Sequence, residues 1–288
     1  MIEPPVRGRA PVQVRRNPPL NTLDPLRKNN ATVVGNREAS QSIVFVHGFG
    51  TDQSVWQDVA ASFMDDYRVV LFDNVGAGKS PPEAFVQHRY LNLDTYATDL
   101  LDLCTALQLE DAILVGHSLG GMISILATIR NPEIASRLVL VGASPRYLDD
   151  EGYRGGFSKS DLDALYKAVT LNYTEWADSF APLAMANPEK PFLSEDFAAT
   201  IKSIPADRAL TVLCSIFQSD HRAALGKLDI PTLLIQSQND IAVPLAVAEY
   251  LHRHIKHSRL SVIDATGHFP HVSAPAEVVA AIREFIAA

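Results

Sequence analysis

Ala112-Ile113-Leu114-Val115-Gly116-His117-Ser118-Leu119-Gly120-Gly121-Met122-Ile123-Ser124-Ile125-Leu126-Ala127 decides the fold. Its first four residues are a short apolar run with β-branched members, which predicts a buried strand. From Met122 the chain is apolar enough for a buried helix. Between them stands Gly116-His117-Ser118-Leu119-Gly120, a Gly-x-Ser-x-Gly at a strand-to-helix turn. Such a turn is sharp, and it squeezes together the residues two before and two after the serine. A Cβ at either place would crowd it, so glycine fits both. The pentapeptide alone occurs by chance. Its place between this strand and this helix makes it a nucleophile elbow with Ser118 at the tip.

Strand and helix patterns alternate on both sides of the elbow. Strands are predicted over 32–34, 42–46, 68–73, 137–141, 232–236 and 259–263, with helices after Asp52 to about 64, over 94–107, over 244–255 and from 275. This alternation predicts an α/β fold, a mostly parallel sheet with helices on both faces. Residues 145–222 break the pattern: they hold no convincing strand, and helical segments are predicted over 158–171, 173–185, 193–203 and 205–218. Aromatic residues concentrate there, among them Tyr147, Phe157, Trp176, Phe180 and Phe217. The segment leaves the C-terminal edge of the sheet, where ligands bind in such folds, and reads as a helical lid. The expected division is a core of 31–144 and 223–288 with the lid 145–222 inserted. Residues 1–30 carry six prolines and six Lys/Arg against two acids, and read as a solvated, disordered arm that begins to order near Leu20–Leu26.

Composition excludes several functions. The chain has 288 residues, 47% hydrophobic and 20% charged, with a net charge of −8. There is no basic excess to neutralise phosphates, so nucleic acid is not expected as a partner. No run approaches the length of a membrane span, and the N-terminus lacks a signal peptide's apolar core. Cys104 and Cys214 sit in apolar helical stretches and read as packing residues; the expected setting is cytoplasmic. Gly78-Lys79-Ser80 imitates the end of a phosphate-binding loop, but that loop needs glycine where Asp73 stands, and Pro81-Pro82 follows. Asp73 reads instead as a loop tether. His252, His254 and His257 do not align on one helix face, and His268 and His271 lack a third ligand, so no metal and no cofactor are expected.

A serine hydroxyl needs an adjacent base, and the base needs an orienting carboxylate. Asp240 follows a late strand and His268 follows the last one, which gives the order Ser…Asp…His of this topology. Ser118, Asp240 and His268 are therefore the expected catalytic residues. The backbone N–H groups of Leu119 and of Phe49, in the loop after strand 42–46, are the expected oxyanion donors. Haloalkane and epoxide hydrolysis are disfavoured, because their nucleophile would be aspartate at 118. The triad would also allow carbon–carbon bond hydrolysis of diketone-like substrates, without an obvious arginine for an acidic one.

The triad and elbow resemble the α/β-hydrolase fold. Other stretches resemble one group within it, that of the bacterial stress regulator RsbQ and the plant karrikin and strigolactone receptors. These are His47-Gly48-Phe49-Gly50-Thr51-Asp52-Gln53-Ser54-Val55-Trp56, Leu71-Phe72-Asp73-Asn74-Val75-Gly76-Ala77-Gly78, Gly142-Ala143-Ser144-Pro145-Arg146-Tyr147, Gly155-Gly156-Phe157, Phe180-Ala181-Pro182-Leu183-Ala184, Phe217-Gln218-Ser219-Asp220 and Gly267-His268-Phe269-Pro270-His271. The resemblance covers about residues 31–288. It implies a four-helix lid over a deep apolar pocket, walled or rimmed by Phe49, Phe157, Trp176 and Phe180, and slow hydrolysis of a small hydrophobic ester or lactone. It also implies, as the alternative, a signalling module that binds such a ligand and contacts a regulatory protein partner. The chain departs from the group at Leu119-Gly120-Gly121, where the receptors typically carry valine and then Ser-Ala or Gly-Ala. This is the ordinary hydrolase form.

Overall fold

A computed structural model describes residues 23–288. In chain order the elements are α1 (Pro25–Lys28), β1 (Thr32–Gly35), β2 (Ser42–Val46), α2 (Gln57–Ala61), β3 (Arg68–Leu71), α3 (Leu93–Ala106), β4 (Ala112–His117), α4 (Leu119–Arg130) and β5 (Ala135–Val141). There follow α5 (Lys159–Leu171), α6 (Tyr173–Met185), α7 (Pro191–Ser203), α8 (Ala206–Phe217), β6 (Thr232–Asn239), α9 (Leu245–His254), β7 (Ser258–Thr266), α10 (Pro270–Ser273) and α11 (Pro275–Ala287). The seven strands form one sheet in the order β1-β3-β2-β4-β5-β6-β7. Only β1 runs antiparallel to its neighbour; every other pair is parallel.

The central strands are buried on both faces, which is why they read as unbroken apolar runs. Alternate residues divide between two cores. Val44, Val46, Leu114, Leu138 and Leu234 pack with Leu100, Leu103, Met122, Ile123 and Leu251, from α3, α4 and α9. Ile43, Phe45, Ile113, Val115 and Val139 pack with Trp56, Val59, Val278 and Ile282 on the other face. Strands β4, β6 and β7 run on past the expected ends, through His117, Asn239 and Thr266. Their extra residues carry the chain to the elbow and into the Asp240 and His268 loops.

Helices α5 to α8 lie between β5 and β6 with no strand among them. Ser158 starts α5 with a reciprocal capping box on Asp161. Tyr173 on α6 donates its hydroxyl to the carbonyl of Ile201 on α7 at 2.7 Å. The end of α6 reaches the sheet edge: the Ala184 carbonyl accepts the His268 N–H at 2.8 Å. Gly267 permits that approach, because a Cβ there would collide with the Met185 carbonyl.

Residues 1–22 of the expected arm lie outside the described residues; its described end, where order was expected to begin near Leu20–Leu26, carries α1. Residues 23–30 pack on the body. Asp24 caps α1 by accepting the N–H of Leu26 at 2.7 Å, and Pro25 takes the first helical position, where its missing N–H costs nothing. The proline density that suggested disorder here serves a helix start. Lys28 pairs with Asp99, which also accepts the Tyr90 hydroxyl at 2.8 Å. Asp73 joins this segment to two loops, accepting from Asn30 Nδ2 at 2.7 Å, Gln53 N at 2.9 Å and Lys79 N at 2.8 Å.

The Lys28–Asp99 pair is largely removed from water, with side-chain exposures of 15% and 3%. Burial already pushes the Asp99 carboxyl up, and Lys28 opposes that rise. Lys28→Met strands the carboxylate, and the expected cost is about 3 kcal/mol at pH 8 by urea unfolding. The cost is smaller at pH 5, because protonation of a carboxyl whose pKa is raised becomes easier as pH falls. An equal cost at both pH values would rule out the ionic account.

Candidate active site

Strand β4 ends at His117 and α4 begins at Leu119, so Ser118 alone makes the turn. Its backbone sits at φ 51°, ψ −117°, a strained region for any residue with a side chain. A Cβ on Gly116 would lie 2.5 Å from the Gly120 carbonyl oxygen, and one on Gly120 would collide with the Val46 carbonyl. Glycine at both positions lets α4 start against β2 and aims the serine side chain off the sheet edge.

Three loops meet there. His268 Nε2 lies 2.9 Å from Ser118 Oγ, and His268 Nδ1 lies 2.8 Å from Asp240 Oδ2. An ionised carboxylate can only accept, so Nδ1 carries the proton and Nε2 is free to accept from the serine hydroxyl. The other oxygen, Asp240 Oδ1, accepts the N–H groups of Ala242 at 2.8 Å and Val243 at 3.0 Å. These bonds fix the carboxylate's plane. The His268 backbone is held at both ends, by Ala184 and by His117, whose Nε2–H donates to the His268 carbonyl at 2.8 Å.

The loop after β2 is set by a neutral histidine. His47 donates from Nδ1 to the Gly48 carbonyl at 2.8 Å and accepts the Asn74 N–H at Nε2, also 2.8 Å. Burial lowers the pKa of His47 and keeps it in this one tautomer. Phe49 follows directly. Neither the Phe49 nor the Leu119 amide donates to any group among the described residues. Leu119 is the first residue of α4, so its N–H has no acceptor within the helix. Both amides are free to meet a developing negative charge.

Ser118 has one more partner. The Tyr147 hydroxyl lies 3.0 Å from Ser118 Oγ. Tyr147 is fully buried, and burial raises its pKa far above the ordinary phenol value, so the group stays a protonated donor. Sequence reasoning gave Tyr147 no role beyond its place among the aromatics. The available signal was its position six residues past the end of β5, on the sheet edge that carries the other site loops.

A cavity opens on Ser118 and His268. Phe49, Trp176 and Phe180 line it, with Tyr147, Phe197, Leu213, Phe217 and Phe269 among its other walls. Trp176 and Phe180 stack with ring centroids 5.2 Å apart. Phe157 does not reach this lining. Residues 147–157 fold back through bridges between Leu148 and Phe157 and between Asp150 and Tyr153, and the Phe157 ring meets Phe217 edge-on at 5.0 Å. Among the described residues, no Asp, Glu, Lys or Arg is in the wall.

The chain matches the alpha/beta hydrolase fold family over residues 41–275. It is 42% identical over 259 residues to the karrikin insensitive 2 receptor CA of Petunia hybrida, covering 90% of this chain and 95% of that protein. The chain belongs to the α/β-hydrolase fold family, in the group of the karrikin and strigolactone receptors. The strigolactone esterase D14 of Arabidopsis thaliana is 40% identical, with 88% of this chain and 94% of the plant protein covered. A hydrolase from Oleispira antarctica has a structure matching at a TM-score of 0.88 and 30% identity, over 91% of this chain and 96% of that one.

Behind the site, His117 and His271 are wholly buried, with ring centroids 4.3 Å apart. Burial lowers the pKa values of His47 and His117, and that of His271 falls to about 3. In the unfolded chain each titrates near 6.5. Below that pH the unfolded chain takes up protons that the folded one refuses, so stability present at pH 7.5 is lost as pH falls. Each histidine contributes a slope of up to about 1.4 kcal/mol per pH unit. Urea midpoints are expected to drop steeply between pH 7 and pH 5, and less steeply in His271→Gln; parallel curves for the two proteins would refute the assignment.

Proposed function

We propose that this protein is a serine hydrolase of small hydrophobic esters or lactones, working through an acyl-enzyme. One observation carries the reading: the hydrogen-bonded series Ser118–His268–Asp240 opens on a cavity with no Asp, Glu, Lys or Arg in its wall. Such a cavity strengthens every dipole inside it and favours an uncharged substrate. The names of the similar proteins, an esterase among them, support the same class.

In the proposed reaction, Ser118 Oγ attacks the carbonyl carbon as its proton passes to His268 Nε2. The oxyanion is met by the N–H groups of Phe49 and Leu119. Collapse breaks the bond to the leaving oxygen, which takes the proton from His268. From a lactone that oxygen stays tethered to the acyl group. Water then attacks the acyl-enzyme, giving its proton to His268, and the acid departs as Ser118 recovers its hydrogen. Tyr147 donates to Ser118 Oγ throughout and steadies the nucleophile's rotamer. Residues 145–222 act as the lid of this site, over a core of 31–144 and 223–288.

Similarity to receptors favours a second reading, in which the same pocket serves signalling and a protein partner reads the lid. Leu171, Leu183 and Phe192 stand exposed on α5, α6 and α7, where such a partner would dock.

Turnover of p-nitrophenyl acetate is the test. Ser118→Ala is expected to lower kcat/KM by roughly 1,000-fold or more. Full activity in that variant would sink the triad. Tyr147→Phe is expected to lower kcat about 10-fold with little change in KM, the worth of one donor to a polar centre. A change confined to KM would show instead that the hydroxyl only contacts substrate.

A further inference from the structure

The two ends of the segment that carries α5 to α8 meet. His221, near its far end, donates its backbone N–H to the Pro145 carbonyl, near its start, at 2.8 Å. Around that bond four charged side chains form a closed circuit. Asp220 takes Arg222 by two nitrogens, Nε on Oδ1 at 2.9 Å and Nη2 on Oδ2 at 2.6 Å. Arg222 Nη2 also donates to Asp150 Oδ2 at 2.8 Å. Arg146 Nη1 donates to Asp220 Oδ2 at 3.0 Å, and Arg146 Nη2 stands 3.6 Å from Asp150 Oδ2. Exposed ion pairs contribute little singly, but a forked arginine contact within a network is stronger. The Arg146 and Arg222 side chains are only 19% and 22% exposed. Hydrogen bonds from Arg222 hold the Asp150 and Asp220 carboxyls below the usual carboxylate range, so both are charged at neutral pH.

The same circuit holds the backbone around Tyr147. Three successive carbonyls there are each taken. That of Pro145 accepts from His221. That of Arg146 accepts the Tyr153 hydroxyl at 2.7 Å and the Ser144 hydroxyl at 2.8 Å. That of Tyr147 accepts the Phe157 N–H at 3.1 Å. A loop residue keeps its direction only when its backbone is tied, and the direction of Tyr147 decides whether its hydroxyl meets Ser118 Oγ. Arg222 acts on this loop twice. It joins the two ends of the segment, and its guanidinium lies 4.9 Å over the ring of Tyr153, whose hydroxyl holds the Arg146 carbonyl.

We propose that Arg222 is a positioning residue for Ser118: by joining the two ends of the α5–α8 segment it holds the Tyr147 hydroxyl on Ser118 Oγ. The effect on turnover rests on the hydrolase reading above; the contact itself does not. Parting the two ends withdraws Tyr147, so a movement of α5 to α8 is felt at the serine.

Arg222→Met keeps most of the apolar stem and removes the charged fork. It is expected to lower kcat for p-nitrophenyl acetate about 5-fold with little change in KM. Added to Tyr147→Phe it is expected to lower kcat no further, because the contact it supports is already gone. A loss that multiplies with that of Tyr147→Phe overturns the assignment. Asp220→Asn breaks the same fork from its other side, carries the same expectation, and serves if Arg222→Met does not fold. A second measurement does not depend on turnover. The protein is labelled with 3-fluorotyrosine, and the fluorine NMR signal of Tyr147 is identified by its loss in Tyr147→Phe. Arg222→Met is expected to shift or broaden that signal, while the signal of Tyr67, packed on Phe63 in the other core, stays in place. An unmoved Tyr147 signal refutes the positioning role. If the wild-type protein turns over no ester, the hydrolase reading fails and the NMR result alone decides this one.

Discussion

The site depends on how closely α4 can approach β2. A helix starting against strand carbonyls needs glycine where the backbones touch, and Gly116 and Gly120 meet that need. The approach forces Ser118 to φ 51°, at a cost on the order of 1–3 kcal/mol that the surrounding packing must hold. Three consequences follow without further residues. The serine side chain leaves the sheet edge. The Leu119 amide, as the first of a helix, is left free. The loop after β2 is brought alongside, so Phe49 lines the same cavity as Ser118. The proposed nucleophile and oxyanion donors are thus brought together by one contact.

The proposed base, His268, is fixed by a different means. His268 sits in a loop, and a loop residue holds an angle only if its backbone is tied. Its N–H goes to Ala184 at the end of α6 and its carbonyl accepts from His117, next to the nucleophile. The inserted helices and the elbow therefore grip the same residue from two sides. A motion of α6 would move the imidazole as well as the cavity wall. His47 sets the loop after β2 only while neutral, since protonation would remove the acceptor at its Nε2. Burial keeps it so. The same burial makes the scaffold vulnerable to acid.

Much of this was legible in the sequence, for a physical reason. Helix and strand periods are local, so the four inserted helices and seven strands could be read from spacing, with errors only at their ends. Ser118, Asp240 and His268 were legible because topology sends each strand's C-terminal end to one edge, and chain order then selects the loops. What escaped were contacts made across the fold. Tyr147 follows a strand in a stretch without period, and nothing local tells that its hydroxyl reaches Ser118. Phe157 was expected at the cavity wall or its rim; the 147–157 fold-back sets it against Phe217 and Tyr147, which line the cavity. At the described end of the expected arm, where order was expected to begin, Pro25 stands at the one helical position that suits it.

The departure from the receptor pattern at Leu119-Gly120-Gly121 has a structural counterpart. A Cβ on Gly121 would lie 2.7 Å from the Cβ of Ala143, so the first turn of α4 rests directly on the chain leaving β5. Four residues on, that chain delivers Tyr147 to Ser118. Were residue 121 to carry a side chain, helix and loop would have to separate by a fraction of an ångström or more, and a 3.0 Å hydrogen bond tolerates little of that. The third glycine and the tyrosine contact are then one packing fact. It tightens the surroundings of Ser118, the proposed nucleophile, and favours the proposed bond cleavage, which needs a fixed geometry.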